Sequence, residues 1–148
     1  MRRPPRVGPP ARGSDDEGSV LLLALGYALL ALALVAVCVD ATSLYLTQKR
    51  AAAAADAAAL AGADALTLVV DDDDGSGARA VLTDADVRAH ASQVLEALGT
   101  AQLVDAATPD GVSARVRVAA EWHPPVLTVF VPDGWIVEAT ATSRTVLR

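Results

Sequence analysis

Several residue types that build catalytic and metal sites are scarce in this chain. Its 148 residues include one cysteine, Cys38, two histidines and only 3% aromatic residues. A single cysteine excludes an internal disulfide framework and a zinc site made of thiolates. With 12 basic against 18 acidic residues and a net charge of −6, the chain also lacks the basic surface of a nucleic-acid-binding protein. We therefore expect no nucleic-acid partner.

Motifs for catalysis and cofactor binding are missing as well. His90 and His123 belong to no metal-ligand motif, and the sequence contains no Gly-x-Ser-x-Gly nucleophile motif. Glu121 and Glu138 could face each other across two strands, but neighbouring arginines favour cross-strand ion pairs instead. We predict that the chain is not an enzyme, with no catalytic residue, cofactor, metal ligand or small-molecule substrate.

A long uncharged run is what the sequence does contain. It extends from Ser19 to Val39 and, as a helix, would be about 31 Å long, which matches the hydrocarbon core of a bilayer. The pattern predicts a single-pass transmembrane helix in the plasma membrane. Four arginines precede the run and two basic residues follow it, so we expect a cytoplasmic N-terminus and an extracytoplasmic C-terminal domain. Cleavage of a signal peptide after Ala41, which would release a small secreted binding domain, is the alternative.

Composition divides the chain into five parts. We expect a disordered cytoplasmic tail at 1–18, the transmembrane helix at 19–39, an alanine-rich extracytoplasmic helix at 40–70, an acidic and glycine-containing linker at 71–79, and a small α+β head domain at 80–148.

The membrane helix and the alanine-rich helix are predicted to be one element, from about Gly18 to Leu68. Nine of the eleven residues from 51 to 61 are alanine, the strongest helix former. Heptad spacing predicts an apolar stripe along this helix, made of Val39, Leu46, Ala53 and Leu60, with Tyr45, Ala52, Ala59 and Leu66 beside it. The small alanines would let another helix or a sheet approach closely.

The head is predicted to contain one short helix and a three- or four-stranded antiparallel sheet. Thr83 is a candidate N-cap and Gly99 a candidate C-terminal stop for the helix. Alternating side chains predict strands at 101–107, 112–122 and 135–146, with Trp122 and Trp135 on the inward face. Residues 126–131 could form a short helix or an edge strand. The fold class is α+β, with a long N-terminal membrane helix that continues into the head. This architecture, an apolar N-terminal helix followed by a helix and a sheet, resembles that of a pilin, so the head is expected to be pilin-like.

Four short motifs carry a resemblance to a known family. Gly18-Ser19 precedes the apolar run, Val39-Asp40 follows it, Lys49-Arg50 is a basic pair, and residues 54–63 read AADAAALAGA. Together they resemble the N-terminal module of TadE/TadG-like Flp pilus-assembly proteins, over about residues 12–66. The remainder is similar to small actinobacterial TadE-like members.

The resemblance implies a structural or assembly component of a Flp (tight adherence) pilus or related secretion system. Its partners would be the lipid bilayer, other pilin-like subunits and the inner-membrane assembly platform. Pilins that are cut by prepilin peptidase generally have a glutamate five residues after the glycine at the cut. Here Leu23 stands five residues after Gly18. This departure favours the unprocessed TadG-like type.

Overall fold

A computed structural model describes residues 15–70, 78–128 and 131–144. Its longest element is the helix α1, Asp15–Ala63. Packing divides the chain into a unit that ends at Cys38 and a second unit that begins at Val39. We call the second unit the globular unit. It contains the outer part of α1 and all the strands.

Both ends of α1 differ from the prediction. The predicted tail at 1–14 lies outside the described residues, but 15–18 are helical, which agrees with the preference for acidic residues in a first helical turn. At the other end, α1 stops at Ala63 and not near residue 68 or 70. The cause is the sequence Thr-Leu-Val-Val, whose β-branched residues favour a strand.

This sequence forms the strand β1, Thr67–Val70, which pairs in antiparallel fashion with β2, Ala78–Val81. The two strands make a sheet of their own. The predicted linker at 71–79 therefore ends in a strand at 78–79, while its acidic part, 71–77, lies outside the described residues.

The second helix, α2, is Asp84–Leu98, and its predicted ends are confirmed. The Thr83 hydroxyl accepts a hydrogen bond from the Asp86 backbone N–H at 3.2 Å and donates one to the Asp86 carboxylate at 2.6 Å. Gly99 adopts the left-handed conformation, and its N–H donates to the Leu95 carbonyl. These contacts satisfy backbone groups that a helix terminus otherwise leaves unpaired.

The predicted main sheet is confirmed as three antiparallel strands in the order β3-β4-β5. The strands are β3, Gln102–Ala107, β4, Ser113–Trp122, and β5, Trp135–Arg144. The pairing of β4 with β5 is continuous from Ser113↔Arg144 to Trp122↔Trp135. Strand β4 alternates between buried and exposed side chains as predicted, because one face of the sheet covers the core.

The core of the globular unit is built mainly from small side chains. One face of α1 contributes seven of them: Ala51, Ala54, Ala55, Ala58, Ala59, Gly62 and Ala63. A Cβ atom added to Gly62 would lie 2.9 Å from Val87 Cγ1 and 3.3 Å from Ala114 Cβ, so α1 approaches both α2 and β4 closely here. The predicted stripe of Val39, Leu46, Ala53 and Leu60 is exposed, whereas Ala59 beside it is buried and the predicted close approach of another helix or sheet to the alanines is confirmed.

The connection between β4 and β5 also departs from the prediction. The described residues of 126–131 form neither a helix nor a strand but a turn, in which the Val131 N–H donates to the Leu127 carbonyl. Strand alternation puts Trp135 on the same face as Val137 and Ala141, as predicted, but Trp135 is 68% exposed whereas Val137 and Ala141 are buried. The inward face of the sheet therefore loses its cover at the Trp135 end.

Candidate functional site

The apolar part of α1 exposes large aliphatic side chains over many turns. Among the described residues, α1 is the one helix long and apolar enough to cross a membrane. Leu21, Leu25, Leu30 and Leu34 are all more than half exposed. Full burial of a side chain of this size is worth about 1.5–3 kcal/mol, so this surface is suited to an apolar environment. A lipid bilayer supplies one of the right thickness.

Asp40, the first charged residue after the apolar run, is buried and has hydrogen-bond partners in the turn that follows β4. Asp40 is only 5% exposed. Its Oδ1 atom accepts a hydrogen bond from the Val126 N–H at 3.0 Å, and its Oδ2 atom accepts one from the Leu127 N–H at 3.1 Å. A carboxylate that accepts two backbone N–H groups is well stabilised when it is buried.

One helical turn further on, α1 makes a second polar contact. The indole Nε1–H of Trp122 donates to the Ser43 hydroxyl at 3.1 Å. Asp40, Ser43, Trp122, Val126 and Leu127 thus form a polar attachment between α1 and the end of β4, which we call the junction. The junction gives a structural role to the aspartate that directly follows the apolar run. Its carboxylate binds two backbone N–H groups of the turn between β4 and β5.

A second carboxylate organises the opposite end of β4. Asp110 Oδ1 accepts hydrogen bonds from the Ser113 hydroxyl at 2.6 Å and from the backbone N–H groups of Ser113 and Val112. Its Oδ2 atom lies 2.7 Å from Arg144 Nη2. The Ser113 hydroxyl, followed by these other donors, holds the pKa of Asp110 well below its usual range. The arrangement stabilises the turn that the Asp110-Gly111 pair predicts.

The residues weighed for catalysis do not come together. His90 and His123 are exposed, and Glu121 is paired with Ile136 while Glu138 is paired with Ala119, so the two glutamates do not face each other. No group of three or more histidine, cysteine or acidic residues that could hold a metal occurs in the described part of the chain.

A shallow cavity of about 600 Å³ lies between the end of α2 and the sheet. Its lining includes Leu95, Glu96, Gln102, Leu103, Glu121 and Ile136. Among its described lining residues there is no histidine, cysteine or lysine.

The comparisons with known proteins agree with the helix geometry. A family model described as putative Flp pilus-assembly TadE/G-like matches residues 18–65, which confirms the predicted resemblance over this part of the chain. The match covers the exposed apolar run, both junction residues of α1 and the alanine face. Searches of curated proteins and of solved structures each give no match. The description of that family names a putative part in Flp pilus assembly.

Proposed function

We propose that this chain is a single-pass membrane protein that acts as a pilin-like structural or assembly component of a Flp pilus or related secretion system. Its N-terminus is cytoplasmic and its globular unit is extracytoplasmic. It performs no catalysis. Its partners are the bilayer, other pilin-like subunits and the inner-membrane assembly platform.

The observation that carries this proposal is the coincidence of the family match with a structural boundary. The match at 18–65 contains the whole apolar run, and it ends just after α1 ends at Ala63. Within it, the apolar residues are exposed, while the alanine face is buried in the core of the globular unit, together with residues of α2 and of the main sheet. One helix therefore combines a surface suited to lipid or neighbouring helices with a surface that holds the globular unit.

Insertion of the apolar run can be tested with the substitution Leu30→Arg. An arginine at the centre of a transmembrane helix costs about 2.5–3.5 kcal/mol on insertion scales, so we expect loss of membrane retention and of assembly. Leu98→Arg is the matched control, because Leu98 is an exposed leucine at the end of α2. Alkaline extraction of membranes should release only the Leu30 variant. Normal retention and piliation in both would contradict the proposal.

Orientation requires a separate experiment. In a chain whose Cys38 is replaced with alanine, we would introduce Ser14→Cys or Thr142→Cys and label intact cells with a membrane-impermeant maleimide. Thr142 is exposed on β5, so it should react, whereas position 14 should react only after the cells are lysed. The reverse pattern would overturn the proposed topology.

Processing can be read from the intact mass and N-terminal residue of the native protein, measured separately in membranes and in the medium. A full-length membrane form supports an unprocessed TadG-like component. A form that begins at Ser19 indicates a processed minor pilin, and a soluble form that begins at Thr42 supports the secreted alternative. Cleavage after Ala41 would remove Asp40 from the junction, which argues against that alternative.

A further inference from the structure

The two edges of the main sheet differ in how they are protected. Strand β3 forms one edge; it is 6 residues long, its pairing shifts register between Leu103 and Asp105, and α2 packs against it. Arg88 of α2 donates a hydrogen bond to the Ala106 carbonyl at 3.3 Å and lies 3.9 Å from the Asp105 carboxylate. Short strands, bulges, charges and a covering helix all hinder an edge from pairing with another chain. The edge at β3 is therefore blocked.

The edge at β5 has much less protection. The strand is 10 residues long, contains no proline or lysine, and pairs with β4 without a shift of register. Glu138, Thr140 and Thr142, which lie on the face away from the core, are exposed. Within the described part of the chain, the backbone of β5 hydrogen-bonds to β4 and to no other element. About half of its N–H and C=O groups therefore point away from the sheet and can receive another strand.

A second copy of β5 fits this edge in an antiparallel register centred on Thr140. A two-fold axis at this residue places Glu138 opposite Thr142 of the second copy and diagonal to its Arg144, within reach of long side chains. An axis at Ala139 would instead set the two Glu138 carboxylates diagonal to each other, about 7–8 Å apart. Charge complementarity therefore favours the register centred on Thr140.

The same register leaves the existing contact of Arg144 in place. Its Nη2 atom donates to Asp110 at 2.7 Å. A guanidinium group carries five N–H donors, so Arg144 can bind Asp110 of its own copy and Glu138 of the other.

The length of β5 supplies enough contacts for a specific interface. With Thr140 at the centre, residues 136–144 of one copy pair with the same residues of the other, and alternate pairs exchange two hydrogen bonds each. The two strands then share about eight to ten backbone hydrogen bonds, close to the number of about ten direct hydrogen bonds in a typical protein interface. Because both copies use the same edge, the contact closes at two subunits.

We propose that two copies of this chain associate through β5, so that their main sheets join into one sheet of six strands, three from each copy. This inference rests on the proposed function and deepens it, because it names a second copy as one of the pilin-like subunits that the chain contacts. The interface lies wholly within the globular unit. Its formation would pair the open edge of β5, which is otherwise exposed to pairing with unrelated strands.

The test is oxidative cross-linking of the full chain, with Cys38 replaced with alanine, in the membranes of cells that express it. Cysteine is introduced as Thr140→Cys or, as the matched control, as Thr142→Cys, and both positions are exposed on the same face of β5. Across the axis, two residues at 140 have Cα atoms about 4.5–5.5 Å apart, a separation that a disulfide can span. Two residues at 142 are offset by four residues of strand, about 13 Å, which is too far.

We expect disulfide-linked dimers to form severalfold faster at position 140 than at position 142. Equal rates at the two positions would overturn the inference. So would a cross-linked product whose mass is not twice that of the chain, because that result would mean that another protein occupies the edge.

A second measurement avoids the disulfide and uses native mass spectrometry of the full chain in detergent micelles. Thr140→Glu or Thr140→Lys alone sets like charges across the axis and should reduce the dimer severalfold, whereas a mixture of the two variants should restore it. Gln102→Glu is the matched control, because Gln102 is exposed at the start of β3, on the other edge of the sheet. An equal loss of dimer in the control, or no recovery in the mixture, would contradict the proposed register.

Alkaline extraction of the cross-linked membranes separates this inference from the proposed function. A chain that stays in the membrane but does not cross-link at position 140 refutes only the pairing through β5. A chain that cross-links at position 140 but is extracted refutes only the membrane anchoring.

Discussion

Removal of the Asp40 carboxylate is the sharpest test of the junction. Asp40→Ala would leave the N–H groups of Val126 and Leu127 without their acceptor in a partly buried position. A hydrogen bond to a charged group contributes about 1.5–3 kcal/mol, and water can replace some of it here. We expect the free energy of unfolding of the globular unit to fall by about 2–4 kcal/mol. Asp40→Asn keeps one acceptor oxygen and should cost about half as much.

The loss should be local as well as global. In full-length protein in detergent micelles, urea unfolding followed by tryptophan fluorescence gives the change in stability, and hydrogen exchange of residues 123–128 gives its location. Asp56→Ala is the matched control, because Asp56 is exposed on the same helix. It should change stability by less than about 0.5 kcal/mol.

Two results would refute the reasoning about Asp40. One is an equal loss of stability from the variants at Asp40 and Asp56, which would mean that the carboxylate contributes nothing specific. The other is unchanged exchange at Val126 and Leu127 in Asp40→Ala, which would mean that these N–H groups do not depend on the carboxylate.

Further predictions concern two closely packed glycines and one hydrogen-bonded carboxylate in the globular unit. Gly62→Leu should destabilise it by at least about 1–3 kcal/mol, because even a Cβ would lie 2.9 Å from Val87 Cγ1; a calorimetric melting temperature equal to that of the parent would contradict this. Gly134→Ala should also lower the melting temperature, because Gly134 has a φ of 68° and an added Cβ would lie 2.7 Å from the Trp122 carbonyl oxygen; a gain in stability would be inconsistent with it. The pKa of Asp110 is lowered in the folded state, so its stabilisation is complete above the unfolded value of about 4 and is lost as the pH falls below it. Asp110→Asn should therefore reduce the loss of stability between pH 6 and pH 3 in urea unfolding, and an unchanged pH dependence would count against this role.

The head elements were predictable where local chemistry is decisive. Thr83 and Gly99 mark the ends of α2 because capping depends on a few neighbouring backbone groups. The alternation in β4 predicts its buried face because one side of the sheet covers a core. The family resemblance likewise depends on motifs that lie close together along α1.

The buried face of α1 was not predictable from periodicity. Heptad spacing favours Val39, Leu46 and Leu60 as the apolar stripe because their side chains are larger than that of alanine. In the structure these three are exposed and the alanine face is buried. Close approach to α2 and β4 requires small side chains, and Gly62 is the clearest signal of that requirement. A glycine in a helix that is otherwise rich in alanine was the available indication of the packed face.

The junction could not be derived from the sequence either. Asp40 and Val126 are 86 positions apart, and no local pattern indicates that they are partners. Trp135 was expected to be buried because strict alternation ignores where a core ends. At the start of β5 the described residues do not cover the inward face, so Trp135 is exposed.

The wide separation of the junction residues along the chain has a consequence for biosynthesis. Val126 is made 86 residues after Asp40, which at 5–20 residues per second corresponds to about 4–17 s of translation. The apolar run is complete and can enter the bilayer before the residues that bind Asp40 exist. In the proposed membrane-anchored protein, insertion would therefore come first in time, and the globular unit would close on a helix that is already in place. A ribosome stalled before residue 126 would hold a chain that is anchored but has an incomplete junction.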